Sequence, residues 1–447
     1  MALSSFAGEV IRPEDSTYDQ ARLVWNGIYD RRPALIVRPT SRDDVVAAVR
    51  HAREAHLVVS VRGGGHSVAG FSTCDGGMVI DLSKMREVTV DPARRRAKVQ
   101  GGALLSQLDR AAQAHGLVCP VGVVGHTGVG GLTLGGGMGR LMRKFGLSVD
   151  NMITVDLVTA DGDVLHASDE ENADLFWGMR GAGANFGVVT SFEFQLHPLE
   201  PDLYVGAVAF PTDRGPVMAE LVREFVAAHD DVHVALSFGK DPEHGPVLSV
   251  GSTCTGDVSR AERDLRVFRD AGPLMDTFAP NRYVDLQGMF DDMTGWGDRV
   301  YTKSGFIGEL SDEVMEQLCR VAETAPPDGE LSIWAMGGAV GRVADDAMAY
   351  TGRGGAYNVS AEVTWTDAAE DEERIAWGRS AMAELKPLMM TGRYVNEVAD
   401  AGEDGSEVYG KAKYERLVAL KRKYDPDNFF RLNQNIKPAA SRESVQG

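Results

Sequence analysis

His66 is the residue around which a chemistry can be built. It closes the run Arg62-Gly63-Gly64-Gly65-His66-Ser67, which follows directly on an apolar stretch at 57–61 with strand character. Glycines bare their backbone N–H groups, allow close approach and adopt positive φ. Such a nest suits a pyrophosphate; a plain flexible turn is the other reading. A second run, Gly128-Val129-Gly130-Gly131-Leu132-Thr133-Leu134-Gly135-Gly136-Gly137-Met138-Gly139, is too glycine-rich for a stable ordinary helix. It reads as backbone laid against a large flat ligand, or else as a tight crossing between domains. The common nucleotide and hydrolase motifs do not fit. Val68 stands where a GxGxxG fingerprint needs its third glycine, and Gly181-x-Gly183 leads into the strand-like Val188-Val189-Thr190. There is no GxxxxGK[ST], HExxH or GxSxG sequence, which argues against a classical NAD enzyme, a P-loop NTPase, a zincin and an α/β-hydrolase. Cys74, Cys119, Cys254 and Cys319 are far apart, so neither a disulfide framework nor a metal site is implied.

The elements that must carry these loops can be read from pattern. Strands are expected at 34–38, 57–61 and 78–82. A helix after Ser41 carries Val45, Val46, Val49 and Ala52 at helical spacing, with Ser41 and Asp44 as a capping box. Stretches 88–90 and 97–99 flank an Asp-Pro turn and suggest a hairpin. Leu104, Leu105, Leu108 and Ala112 stripe a helix that ends at Gly116. From about Pro201 the character changes. Strands at 204–210, 233–238 and 357–365 alternate with helices near 218–228, 260–270 and 312–325, which implies a separate α+β unit on an antiparallel sheet. An amphipathic helix at 414–424 is stopped by Asp425-Pro426.

The chain has 447 residues, enough for two or three domains, with a formal charge of −19. An acidic surface repels polyanions, so nucleic acid is not an expected partner. No basic and apolar leader and no long apolar run is present, so no membrane association is expected and a reducing, cytoplasmic setting fits.

Five ordered stretches together carry a resemblance: Arg62–Ser67 with Asp75-Gly-Gly-Met-Val-Ile-Asp81-Leu82; Gly128–Gly139; Asp174-Leu-Phe-Trp177; Arg180-Gly-Ala-Gly-Ala-Asn-Phe-Gly-Val-Val189; and Tyr424-Asp-Pro-Asp-Asn-Phe-Phe-Arg-Leu-Asn433-Gln-Asn435. They resemble the berberine bridge enzyme-like flavoproteins of the vanillyl-alcohol oxidase superfamily. The resemblance implies an α+β fold with a two-part PCMH-type FAD-binding domain, residues 1–200 (main part about 30–200) and a returning C-terminal segment 401–447. A substrate-binding domain on an antiparallel sheet, 201–400, would be inserted between them. It implies FAD bonded covalently through its 8α carbon to His66, with Arg62, Gly63, Gly64, Gly65 and Ser67 around the pyrophosphate. Gly122, Val123, Thr127, Gly128 and Gly131 would line the flavin, Val189 would meet the adenine, and Asn433 and Asn435 would lie near the ring.

By the same resemblance the partners are O2 and a small-molecule substrate, met by a monomer or homodimer. The family's second, cysteinyl tether falls on Val124, which has no nucleophile; Cys119 lies five positions early. Thr127 falls where the family controls oxygen access, with Leu132 as a neighbouring wall, and a small residue there favours an oxidase. The family's acidic base position falls on Ser360, which cannot do that job unaided. Alternation puts Glu362 on the same face, about 7 Å along, either as substitute or simply solvated. The motif Tyr-x-Asn-Tyr reads Tyr394-Val395-Asn396-Glu397, leaving Tyr394 and Asn396 to orient substrate. Lys303 would neighbour flavin N5, or else lie on the surface. Phe290, Trp296, Tyr301 and Trp334 are either pocket lining or core. The expected activity is oxidation of a C–H beside an alcohol or amine with release of H2O2. An oxygenating enzyme and a non-catalytic flavin protein are the alternatives.

Overall fold

The computed structural model describes residues 6–439 except 294 and 403. Its N-terminal half holds two small sheets. In the first, Leu35–Arg38, Met78–Asp81 and Val59–Arg62 run parallel, and the short Glu9–Ile11 pairs antiparallel at the edge. The helix Arg42–Glu54 covers this sheet with Val45, Ala48, Val49 and Ala52, as the spacing requires. Ser41 caps it by accepting from the Asp44 N–H. The expected box is only half formed, because the Asp44 carboxylate turns to the N–H groups of Ala7 and Thr40.

The second sheet is antiparallel and contains the expected hairpin, Val88–Asp91 with Arg96–Gln100, beside Val188–Gln195, Met152–Val158 and Val164–Ser168. One finding departs from the sequence reading. Inside the glycine run, Val129–Leu134 forms a short helix. Glycine lowers intrinsic helicity, but close approach of neighbouring backbone supplies the contacts that propensity does not: a Cβ on Gly130 would lie 2.8 Å from the Gly101 oxygen.

Residues 202–365 form one eight-stranded antiparallel sheet. It contains the expected strands as Asp202–Pro211, His233–Asp241 and Tyr357–Trp365. Gly245–Thr255, Arg299–Ile307 and Gly329–Ala335 are strands that the sequence pattern did not reveal. Helices Gly215–Ala228, Asp312–Glu323 and Asp371–Leu385 close one face and bury the largest apolar cluster. The expected helix near 260–270 is broken at Leu265 into Val258–Asp264 and Arg266–Arg269.

The other sheet face looks toward the glycine loops. After it the chain returns to the first half. Helix Lys411–Tyr424 buries Leu417 and Leu420 in the same cluster as Phe176 and Phe192. Just beyond, Asn185 donates to the Gln434 carbonyl and accepts from the Ile436 N–H. Among the described residues no helix is long and apolar enough to cross a membrane.

Candidate functional site

Between the glycine loops and the open sheet face lies a cavity of about 1140 Å³. An ordinary small-molecule pocket holds ~300–1,000 Å³, so there is room for more than one modest ligand. Its floor is glycine backbone for a mechanical reason. A Cβ on Gly64 would sit 2.2 Å from the Gly128 nitrogen, so the two glycine loops touch only because both lack side chains. A Cβ on Gly131, in contrast, meets nothing within 4 Å and would stand in the cavity. Gly65 takes φ 79°, turning the loop under His66.

His66 stands at one side of this floor. Its ring stacks on Trp25, with centroids 4.7 Å apart. Its Nε2 lies 2.6 Å from Nδ1 of His126, whose Nε2 is 3.1 Å from the Asp291 carbonyl. A carbonyl only accepts, so His126 carries its proton on Nε2 and accepts at Nδ1 from the His66 Nε2–H. Burial and the neighbouring His126 push the His66 pKa down to about 3. His66 is therefore a neutral imidazole with an unprotonated Nδ1. The sequence reading missed Trp25, His126 and Asp291, which no local motif joins to His66.

The sheet wall is polar and acidic at one end. Alternate side chains of Gly329–Ala335 and Tyr357–Trp365 enter the cavity: Glu330, Ser332 and Trp334 from one, Ser360, Glu362 and Thr364 from the other. Glu330 and Glu362 are directly opposed across the strands. Both are reached from the cavity yet surrounded by protein. Burial pushes Glu330 up to about 7; burial, then the charges of Glu330 and Glu397, does the same for Glu362. The hydroxyls of Ser360 and Ser332 bond each other at 2.8 Å. Glu397, raised by burial, accepts from the Asn358 amide at 2.9 Å.

Most residues expected around a cofactor do line this cavity: Gly63, Gly64, Gly65, His66, Ser67, Gly122, Val123, Thr127, Gly128, Gly131, Val189 and Asn433. Val124 and Leu132 line it too. Arg62 does not. Its buried guanidinium donates to the carbonyls of Ala21, Arg22 and Ser72, so it braces the loop from behind. Asn435 lies outside the lining, although its Oδ1 is a sealed atom without a partner. Cys119 is fully buried, and burial raises its pKa far above the usual thiol range.

Among the expected catalytic residues, Glu362, Thr127, Tyr394 and Asn396 meet in the cavity. The Tyr394 hydroxyl accepts from the Met138 N–H and the Asn396 amide, and that amide also donates to the Leu132 carbonyl. The pair thus stitches the sheet side to the glycine run. Burial and nearby Glu397 raise Tyr394 to about 12, so it is no base near neutrality.

Lys303 does not face the cavity. It pairs in register with Ala361, on the opposite face from Glu362, and its ammonium bonds Asp400 at 3.1 Å. The same parity turns Tyr301 toward Asp400. Of the other expected aromatics, Phe290 and Trp334 line the cavity; Trp296 is 53% exposed and meets His66 edge-on.

This fold and cavity define a flavoenzyme. An FAD binding domain model matches residues 33–168, and a berberine and berberine like model matches 393–437. The chain is 33% identical to (R)-6-hydroxynicotine oxidase of Paenarthrobacter nicotinovorans over 98% of both chains. It is 34% identical to an FAD-linked oxidoreductase of Dictyostelium discoideum, covering 97% of this chain and 95% of the other. The crystal structure of 6-hydroxy-D-nicotine oxidase from Arthrobacter nicotinovorans superposes with a TM-score of 0.88 at 31% identity, over 98% of this chain and 99% of that one. The chain belongs to the berberine bridge enzyme-like FAD-linked oxidoreductases, with the PCMH-type α+β fold.

Proposed function

We propose that the protein is an FAD-dependent oxidase acting on a C–H bond beside an alcohol or amine of a small molecule, with its flavin bonded covalently to His66. The observation that carries this reading is one continuous cavity that joins the glycine floor and His66 to an acid-bearing sheet wall. The residues present fit FAD: the Gly131 surface is open, and Asn433 borders the cavity with a buried Oδ1 that lacks a partner. Gly63 to Ser67 would hold the pyrophosphate, Gly122 to Gly131 the ring and ribityl chain, and Val189 the adenine. When bound, FAD supplies a two-electron acceptor that O2 can reoxidise with formation of H2O2.

The remaining work belongs to the chain's own side chains. Neutral His66, held by Trp25 and His126, offers an unshared Nδ1 pair beside the floor. Glu362 takes the substrate O–H or N–H proton, and its raised pKa matches a base working near neutrality. Burial raises that pKa first, and the charges of Glu330 and Glu397 add to the rise. Tyr394 and Asn396 hold the glycine run at fixed distance from the sheet. Thr127 keeps the floor narrow in side chain and leaves space for O2.

The test is a screen of small alcohols and amines against the purified protein, with peroxide measured against substrate consumed. One peroxide per substrate supports an oxidase. Label from 18O2 appearing in the product would replace it with an oxygenating reaction, and absence of any substrate-dependent change in the flavin spectrum would remove catalysis altogether.

A further inference from the structure

Among the described residues the buried arginines other than Arg140 each make several protein hydrogen bonds, although the Arg353 Nε is left without one. Arg143 spends its guanidinium on the carbonyls of Val232, Met336, Val226 and His229. Arg353 pairs with Asp150, and Arg62 with three carbonyls. Arg140 is 8% exposed and makes a single side-chain hydrogen bond among the described residues, Nη1 to the Gln287 Oε1 at 3.1 Å. Gln287 is fixed in that orientation because its amide donates to Asp109 and to the Gly122 carbonyl. No carboxylate of the described residues lies within ion-pair reach of Arg140. Asp109 is bonded to the far side of Gln287 and acts on Arg140 only at a distance, and burial raises its pKa to about 7. The other N–H groups of Arg140 open onto the cavity. A buried, unpaired guanidinium is costly, and an arriving anion offsets that cost.

A second group points the same way. His233 is 6% exposed and lines the same end of the cavity, edge-on to Trp334. Its Nδ1 is sealed without a partner, while its Nε2 has no such seal. Burial, then Arg140 and Arg143, keeps it neutral at working pH. Placing the proton on Nε2 aims an N–H donor into the cavity. Phe290 lies over the Arg140 guanidinium at 5.0 Å, so two aromatic side chains flank the site. Trp334 and Glu330 are four residues apart on one strand face, roughly 13 Å at about 3.3 Å per residue, so this end stands well away from the acid pair.

We propose that Arg140 and His233 form an anion subsite that receives a carboxylate carried by an aromatic substrate, while the oxidised end of that substrate reaches toward Glu362. The forked guanidinium fits a carboxylate bidentately, and the His233 N–H supplies a third donor. The inference rests on the reading of this cavity as the substrate site.

Isothermal titration of the flavin-loaded protein tests it, using benzoate and nicotinate against the matched amides benzamide and nicotinamide. The wild type binds each acid about tenfold or more tighter than its amide, Arg140→Gln abolishes that preference, and Arg140→Lys keeps part of it. Equal binding of acid and amide by the wild type, or no binding of either, overturns the proposal without any variant. Loss of flavin from Arg140→Gln, with the wild-type acid preference absent, would make Arg140 a cofactor anchor instead. The two readings fail separately: peroxide formation without acid preference sinks only this subsite, and acid preference in a protein that oxidises nothing sinks only the oxidase.

Discussion

Glu330→Gln is a perturbation that reports on Glu362 without touching it. The two carboxyls oppose each other in register on neighbouring antiparallel strands, which puts their stems roughly 5 Å apart. Unit charges ~5 Å apart at an effective dielectric of ~20 repel by about 3 kcal/mol, equivalent to about 2 pKa units. Water in the cavity and partial protonation of Glu330 itself reduce this to a shift of about 1 unit. Glu362 is raised to about 7 and must be ionised to accept a proton, so kcat/KM falls as pH drops through that value. At pH 7, where Glu330 of the wild type is itself about half ionised, the ionised fraction of Glu362 rises from about 50% toward about 90% in Glu330→Gln. The variant is then up to about twofold faster than wild type near pH 7 and equal to it at high pH. Glu362→Gln loses about 10²–10⁴-fold above pH 7, the range for a general base, and less below it, where the wild-type carboxyl is itself protonated. The assay is the rate of anaerobic flavin bleaching by substrate across pH. An acid limb in Glu330→Gln that coincides with the wild type refutes the coupling, and near-normal rates in Glu362→Gln refute the base.

Two further outcomes follow from packing. Gly131→Ala places its methyl in open cavity, so the flavin-free protein keeps its thermal midpoint while flavin retention falls, checked by calorimetry and the flavin-to-protein absorbance ratio. Lys421 and Asp425 are both fully buried and bonded at 2.6 Å, and Lys421 also donates to the Asn185 and Phe430 carbonyls. Lys421→Ala leaves a buried carboxylate unpaired and costs about 3–5 kcal/mol in denaturant unfolding.

What the sequence made legible was local. Strand Tyr357–Trp365 appears with the predicted bounds because its alternation is strong, and the glycine runs announce themselves by composition. Two of the hidden strands carry small or polar residues on their cavity side, as in Ser249 and Gly251 or Glu330 and Ser332, which blurs the period-2 pattern. Of the two expectations for Lys303, strand parity favours the one away from the cavity, since it lies on the far face with Ala361. His126 and Arg140 flank the second glycine run and His233 opens a strand, but as single polar residues no local pattern marks them. Only the pairing of distant segments, 66 with 126 and 140 with 287, reveals them.

The central claim is the covalent bond at His66, and acid precipitation of the purified protein tests it most directly. The account predicts yellow colour in the wild-type pellet, fluorescent on a denaturing gel, and flavin released to the supernatant by His66→Ala. Wild-type flavin that washes into the supernatant, or a His66→Ala pellet that stays yellow, contradicts it.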